Sequence, residues 1–362
     1  MSGQLTAGGW RRWLLAAVAL LAVTACADRP EPYRQESYVF GTRVEVSVAN
    51  LPQAQAAPAV TAALAELDRM HNKLHAWQAG SDVVRLNQAF AAGRAAPVDA
   101  ELAGLIRLAQ DGERNSDGLF NPAIGRLVEL WGFHADRFAP VAPPTAGLRA
   151  VLALHPSTLD ITVADGMARS RNPDVALDFG GLAKGWALDR VADILHRHGV
   201  RDALINIGGN VLALGEKAPG VRWKVGIQHP RDPRAMAVVA LRPGEAMGTS
   251  GDYQRFFMLD GKRYCHLIDP RDGDARCRVQ AVTVLVERGA DPGLRSDVAS
   301  KPVYFAGAAG ALRAAGRFGI QSVLLVDGEG GIHVSPAMAT RLEWLIEPVH
   351  KSVLVATVQE KP

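Results

Sequence analysis

The stretch that decides the fold is residues 175–207, which read VALDFGGLAKGWALDRVADILHRHGVRDALINI. Residues 175–179 are apolar enough for a strand, and a turn containing three glycines follows them. Apolar side chains then recur at the spacing of one helix face between residues 188 and 195. Residues 203–207 form a short apolar run of the kind found in buried strands. The stretch therefore predicts a strand, a glycine turn, a helix and a second strand.

The flanking sequence contains hairpin signals. Asp260-Gly261 and Asp327-Gly328 each lie between apolar runs, a pattern that predicts β-hairpins. Further predicted elements are strands over 43–48, 223–227 and 279–286, helices over 60–74, 99–109 (capped by Asp99) and 123–131, and a loop over 141–144. This mixture predicts an α+β fold, with mixed and antiparallel sheets and hairpins packed against helices, rather than a doubly wound parallel sheet.

Composition excludes one class of partner. The chain has 362 residues, of which 48% are hydrophobic, enough for one large domain or two ordinary ones. The 40 basic and 37 acidic residues give a net charge of +3 without a dense basic stripe. We therefore expect no nucleic-acid partner.

The amino terminus is typical of an exported bacterial lipoprotein. Arg11 and Arg12 precede the apolar run 13–25, and its 13 residues are too few to span a bilayer, which takes about 20. Val23-Thr24-Ala25-Cys26 fits a lipobox. The alternative is a plain signal peptide in which Cys26 is incidental. The paired arginines also fit twin-arginine export, so the export route stays open.

These signals divide the chain. Residues 1–25 are predicted to be a signal peptide that leaves Cys26 lipidated, and 27–35 a polar tether. The folded domain is expected over 36–350 and a tail over 351–362. The predicted location is the periplasmic side of a bacterial membrane, inner or outer. The remaining cysteines, Cys265 and Cys277, fit either a disulfide or a free, buried pair.

The glycine-rich segment 178–185 is the first candidate site. Glycines between a strand and a helix let the backbone approach a ligand, and a helix start favours anions. Lys184 adds a positive charge there, although the segment lacks the spacing of a P-loop. Taken alone, this pattern also fits a structural turn. The same holds for the glycine turn 206–210, and residues 249–253 by themselves indicate a solvated loop.

His266 is the candidate general base. It follows a predicted hairpin strand, near carboxylates such as that of Asp269, and histidine exchanges protons near neutral pH. A single histidine is also often structural. Asp297 follows a loop and, taken alone, is expected to cap the helix that begins beside it.

Taken in order, these segments resemble the ApbE family, the FAD:protein FMN transferases, from residue 40 to about residue 307. The match is carried by residues 40–42 (Phe-Gly-Thr), 82–87, 116–122, 130–133, 177–185, 206–209, 249–253 and 266–270. The resemblance implies an ApbE-like, T-fold-like architecture. It also implies an enzyme that cleaves FAD, releases AMP and attaches FMN through a phosphoester to a threonine of an acceptor protein.

The resemblance also implies roles for single residues. His266 falls on the family's proposed catalytic base. FAD contacts are expected from Phe40, Trp77, Leu119, Phe120, Asn121, Asp178, Lys184 and Ile268. Phe40 stands where the family usually has Met and Trp77 where it has Tyr. Asn121 replaces an Asp, which keeps an acceptor and loses the charge.

The family's Mg²⁺ would be held by the Gly181 carbonyl, by Asp297 and by a Thr four residues later. That third position is Lys301, and a protonated lysine has no acceptor for a metal. Ser300 could supply a hydroxyl, water could fill the place, or Lys301 could replace part of the cation. Alternatively, activity is lost.

Three functions follow from the resemblance. The first is a transferase that serves an extracytoplasmic flavoprotein, expected in a membrane-associated redox complex. The alternatives are an FAD pyrophosphatase and a non-catalytic lipoprotein that binds FAD.

Overall fold

The computed structural model describes residues 31–135, 137–287 and 289–355, and within these a nine-stranded sheet is the central element. The strands are β1 (Tyr33–Val39), β2 (Thr42–Val48), β3 (Ala96–Pro97), β4 (Ile161–Ala164), β5 (Met167–Ser170), β6 (Ala203–Ile207), β7 (Asn210–Leu214), β8 (Trp223–Gln228), β9 (Ala235–Leu241), β10 (Ala246–Gly251), β11 (Phe256–Leu259), β12 (Lys262–Cys265), β13 (Val279–Val286), β14 (Ser322–Asp327), β15 (Ile332–Val334), β16 (Leu342–Trp344) and β17 (Lys351–Val353). The large sheet has the order β1-β2-β6-β7-β10-β13-β14-β15-β17. Its neighbours are antiparallel except β15 and β17, which are parallel.

Helices lie between these strands in the chain. They are α1 (Gln53–Leu74), α2 (Asp82–Ala91), α3 (Ala100–Asn115), α4 (Gly125–Leu130), α5 (Thr145–Ala153), α6 (Ala183–Arg197), α7 (Pro292–Gly316) and α8 (Pro336–Ala339). The carboxylate of Asp99 accepts the backbone N–H of Leu102 over 2.8 Å, as predicted for the cap of α3.

Both faces of the large sheet are covered. On one face, valines of β2 pack with apolar residues of α1 and α6. Farther along the same sheet, α7 packs against β10, β13 and β14. The other face meets the small sheet β16-β9-β8, whose Trp223 and Ile227 are buried with Val211 of β7. Every residue of β7 is buried because it lies between these two layers.

The crossing of α6 and α7 is unusually close. A Cβ atom added to Gly185 would lie 2.5 Å from Asp297 Cβ and 2.5 Å from the Gly293 carbonyl oxygen. Only glycine permits this approach, because real Cβ atoms need about 3.4 Å or more to such neighbours. The crossing brings the start of α6 against the first half of α7.

The predicted fold class is confirmed. Asp260 and Gly261 have φ of 48° and 71° and join β11 to β12, as a type I′ hairpin requires. The Asp327-Gly328 pair likewise marks the end of β14, from which the chain turns into the antiparallel strand β15. Both remaining cysteines are free, Cys265 buried and Cys277 half-buried.

The strand predicted over residues 175–179 was wrong. Ala176 makes one isolated bridge to Ile124, and residues 179–181 form a 3₁₀ turn. The reason is local: the Asp178 side chain accepts the N–H of Gly180 over 2.8 Å, and its own N–H goes to the Pro122 carbonyl. Side-chain bonds of this kind compete with a strand ladder.

The prediction of a solvated loop over residues 249–253 was also wrong for residues 249–251. Residues 249–251 belong to β10, which lies between β7 and β13 in the sheet. Thr249 Oγ1 lies 3.0 Å from Thr283 Oγ1 on the neighbouring strand. A cross-strand hydroxyl pair stabilises a sheet, so the polar composition did not indicate exposure.

The large sheet extends beyond both domain boundaries that were expected from the sequence. β1 begins at Tyr33, inside the expected tether 27–35, and β17 lies inside the expected tail 351–362. Backbone pairing at the two sheet edges accounts for both, since it does not require apolar side chains. The predicted signal peptide and Cys26 lie outside the described residues. No helix within the described ranges is long and apolar enough to cross a membrane.

Candidate active site

The segment before the glycine turn is fixed by one side chain. Asn87 donates to the Leu177 carbonyl over 2.9 Å and accepts the Leu177 N–H over 2.7 Å. This pair of bonds sets the position of Asp178. Its Oδ1 accepts from Gly180, and Trp77 Nε1 donates to its Oδ2 over 3.3 Å. The structure therefore brings two of the predicted FAD residues, Trp77 and Asp178, into contact.

Two predicted aromatic contacts are half-buried. The Trp77 ring lies 5.4 Å from the His134 ring, centroid to centroid. Phe40, with φ of 55° in the β1–β2 turn, meets the His71 ring edge-on at 5.7 Å. Half-buried rings retain a surface on which a flavin could stack.

The segment 119–121 packs against the glycine turn through Phe120. Phe120 is buried, and its Cε2 lies 3.1 Å from the position of a Cβ on Gly181, while Leu119 is half-buried. The Asn121 amide donates to the Pro156 carbonyl over 2.8 Å and accepts the Ala123 N–H over 2.9 Å. An aspartate could not make the first of these bonds. Asn121 therefore holds the backbone of this loop.

Asp297 lies in the interior of α7, so the expectation that it caps this helix was wrong. The fully buried carboxylate serves another helix instead, because its Oδ2 accepts the N–H of Gly185 at the start of α6 over 2.8 Å. Lys184 Nζ lies 3.8 Å from Oδ1 and donates to the Gly180 carbonyl over 3.3 Å. Burial opposes the charge, but Lys184 and Lys301 outweigh it and lower the pKa of Asp297.

Lys301 lies one helical turn beyond Asp297. Its ammonium donates to the Asp297 carbonyl over 2.7 Å and also to Oδ1 of the same residue. Its Cε lies 3.9 Å from the position of a Cβ on Gly181, so the side chain reaches the glycine turn. Burial lowers the pKa of Lys301 to about 8, against the opposing charge of Asp297. The Asp297 carboxylate, to which this side chain donates, favours its charged form.

His266 follows β12 and is half-buried. Its Nδ1 lies 3.3 Å from the Arg255 carbonyl oxygen, which can only accept, so Nδ1 carries the hydrogen of this bond. Burial, followed by the charges of Arg255 and Lys184, lowers the pKa of His266 to about 3. The ring is therefore neutral at pH 7, and Nε2 keeps its lone pair. The charge of Lys301 acts on the ring in the same direction.

The carboxylate expected near His266 has another partner. Asp269 pairs with Arg271, whose Nη2 lies 2.6 Å from Asp269 Oδ2. Ile268 is buried at 3% exposure in a cluster with Leu127, Trp131 and Phe257, so its side chain is part of the core. Only the backbone of Ile268 could contact a ligand.

The sequence does not indicate two neighbours of these residues. Arg255 orients His266 through its carbonyl and donates from its guanidinium to the Phe133 carbonyl over 2.6 Å. His134 lies against Trp77. Neither belongs to a recognisable motif, and one arginine among 40 basic residues gives no signal of its own.

Lys184 and Lys301 thus both reach the glycine turn, and their charges act on the neutral ring of His266. A profile of the ApbE family matches residues 40–324, most of the chain. The chain belongs to the ApbE family. The family predicted from sequence is therefore confirmed.

Two members of the ApbE family are similar to this chain in sequence. The chain is 40% identical over 332 residues to the FAD:protein FMN transferase of Rhodobacter capsulatus, covering 91% of this chain and 62% of that protein. It thus spans less than two thirds of that relative's length. It is 28% identical to the FAD:protein FMN transferase of Vibrio cholerae serotype O1, covering 76% of this chain and 83% of that protein.

Solved ApbE structures have the same fold. The ApbE protein of Thermotoga maritima superposes with a TM-score of 0.77 at 27% identity, covering 86% of this chain and 99% of that one. The flavin transferase ApbE of Vibrio cholerae gives 0.74 at 25% identity, with coverages of 86% and 99%.

Proposed function

We propose that this chain is an FAD:protein FMN transferase, which cleaves FAD between its two phosphates and attaches FMN to a threonine of another protein. The observation that carries the proposal is that two cations, Lys184 and Lys301, reach one glycine turn and act on His266, whose Nδ1 is engaged by the Arg255 carbonyl. The names of the ApbE relatives support the same activity.

FAD would bind across this turn. The flavin ring would lie against the half-buried faces of Trp77 and Phe40, with Asp178 held in place by Trp77. The diphosphate would lie at the glycine turn, where backbone N–H groups at the start of α6 and the charge of Lys184 favour anions.

Transfer is then a displacement at phosphorus. The threonine hydroxyl oxygen attacks the phosphorus on the FMN side, forming a new P–O bond, and its proton passes to Nε2 of His266. The P–O bond to the AMP half breaks, and AMP leaves as an anion. The Arg255 carbonyl fixes the tautomer that leaves Nε2 free. The positive charges nearby stabilise the charge that develops on the phosphate oxygens.

The acceptor and the location belong to the same proposal. An amino terminus of lipoprotein type would anchor Cys26 on the periplasmic side of a membrane. The acceptor is then an extracytoplasmic flavoprotein, and we propose one that belongs to a membrane-associated redox complex.

Mass spectrometry tests the activity directly. The full chain, solubilised in detergent, is incubated with FAD and a threonine-containing flavoprotein domain as acceptor. The proposal predicts an acceptor mass increased by one FMN on threonine, together with AMP. Free FMN and AMP without a modified acceptor would instead indicate a pyrophosphatase, and intact FAD bound to the protein would indicate a flavin-binding protein without chemistry.

A further inference from the structure

Both carboxylate oxygens of Asp297 already have partners within the protein. Gly185 donates its N–H to Oδ2 over 2.8 Å, and the Lys301 ammonium donates to Oδ1. The aspartate is fully buried, so water does not reach it. A divalent cation, which prefers carboxylate oxygens as ligands, would have to displace the lysine.

The neighbouring serine does not replace the missing threonine hydroxyl. Ser300 is fully buried, its Oγ lies 2.7 Å from Ser250 Oγ, and it donates to the Asp297 carbonyl over 2.8 Å. Within the described part of the chain, no group of three or more His, Cys, Asp or Glu residues could hold a metal ion. Because both Asp297 oxygens and the Ser300 hydroxyl are already hydrogen-bonded within the protein, the residues around Asp297 do not fit a divalent-metal site.

The lysines provide positive charge at the same place. Lys301 uses two of its three N–H donors on Asp297 and keeps one for another acceptor. Its side chain is 11% exposed and reaches Gly181, and Lys184 Nζ lies 3.8 Å from the same Asp297 oxygen, Oδ1. Two ammonium groups and one carboxylate leave a net charge of +1. Charge-assisted hydrogen bonds from lysine suit a diphosphate.

We propose that Lys301, together with Lys184, supplies the positive charge that holds the diphosphate of FAD, so that this chain binds FAD and transfers FMN without a divalent metal ion. The transfer part of this inference rests on the proposed function. The FAD-binding part does not, because it depends only on the charges at the turn.

The first experiment uses the wild-type full chain in detergent with FAD, in EDTA and in Mg²⁺. FAD affinity is measured by quenching of flavin fluorescence and transfer by acceptor mass. We expect both to agree within about twofold between the two conditions. A loss of about tenfold or more in EDTA that Mg²⁺ reverses would overturn the inference. FAD bound equally in both conditions but never transferred would count against the proposed function and support the role of Lys301 in binding.

The second experiment is Lys301→Thr, which removes the ammonium and provides a hydroxyl. In EDTA we expect FAD affinity to fall about tenfold, the effect of losing one hydrogen bond to a charged group, and Mg²⁺ to restore it. An unchanged affinity in EDTA would contradict the inference. The matched control is Lys224→Thr, which removes a surface lysine paired with Glu343 and should change nothing.

A titration with Mn²⁺, followed by electron paramagnetic resonance, tests the wild type itself and gives a result even if Lys301→Thr does not fold. The wild type should show no tight Mn²⁺ site, and Lys301→Thr, where folded, should gain one. A tight site in the wild type that Asp297→Asn abolishes would contradict the inference.

Discussion

The imidazole of His266 is the side chain on which the proposed chemistry depends most. Replacing it in His266→Ala removes the proton acceptor and leaves Lys184 and Lys301 in place. We expect FMN transfer to fall by about 10² to 10⁴-fold, the usual contribution of a general base, with little change in FAD affinity. Acceptor mass and fluorescence quenching measure the two quantities.

The control for this variant is His198→Ala, which removes an exposed histidine at the end of α6 and should retain full activity. Equal transfer by His266→Ala and by the wild type would show that another group accepts the proton.

The titration of His266 gives a second prediction. Its pKa lies at about 3, below the ordinary value of 6.5, so the folded protein favours the neutral ring. The resulting stability is present above pH 6.5 and is lost as the pH falls toward 3. Between pH 5 and pH 8 the His266 proton signals in an NMR titration should therefore not shift. A midpoint near 6.5 would contradict the desolvated, cation-flanked environment.

The sequence indicated the chemistry of single residues better than their contacts. Asn121 was recognised as an acceptor in place of an Asp, but its side chain also donates to the Pro156 carbonyl, 35 residues away in the sequence. Lys301 was recognised as a departure from the family's threonine. Lys301 can reach Asp297, four residues earlier, only because one helix runs through both residues. The sequence had predicted that this helix begins only beside Asp297.

The close crossing of α6 and α7 fixes the relative position of Lys184, Asp297 and Lys301. Gly185→Ala would place a methyl group 2.5 Å from Asp297 Cβ, so the helices must separate. Overpacking of this kind costs about 1–3 kcal/mol of unfolding free energy, and we expect transfer to fall as well because the lysines move. Chemical denaturation and the acceptor-mass assay measure both effects.

Gly316→Ala is the matched control, because a Cβ there meets nothing within 4 Å. It should leave activity unchanged and stability equal or slightly higher, since alanine favours helices over glycine. If Gly185→Ala behaved like Gly316→Ala, the close crossing would not be needed for the site.

Elements with strong local signals were predictable. Alternating polar and apolar residues predicted β2, the N-cap residue Asp99 predicted the start of α3, and the Asp-Gly pairs predicted two hairpins. The segment 175–179 was not predictable from apolar content, because its conformation depends on Asn87 and Pro122 from elsewhere in the chain. Such long-range bonds override local propensity.

The molecule as a whole is proposed to act while anchored to a membrane. Cys26→Ser removes the thiol that would carry the lipid. We expect the protein to move from the membrane fraction to the soluble fraction after cell disruption, because stable anchoring needs buried acyl chains. Immunoblots of the two fractions measure this, and Cys277→Ser serves as the cysteine control. Retention of Cys26→Ser in the membrane fraction would exclude the lipid anchor.

The central proposal is that a single diphosphate binds between the glycine turn, the two lysines and His266. A crystal structure of the FAD complex tests it most directly. We predict the diphosphate within hydrogen-bond distance of the ammonium groups of Lys184 and Lys301, with Nε2 of His266 facing the phosphorus on the FMN side. A diphosphate bound away from these three side chains would contradict the account.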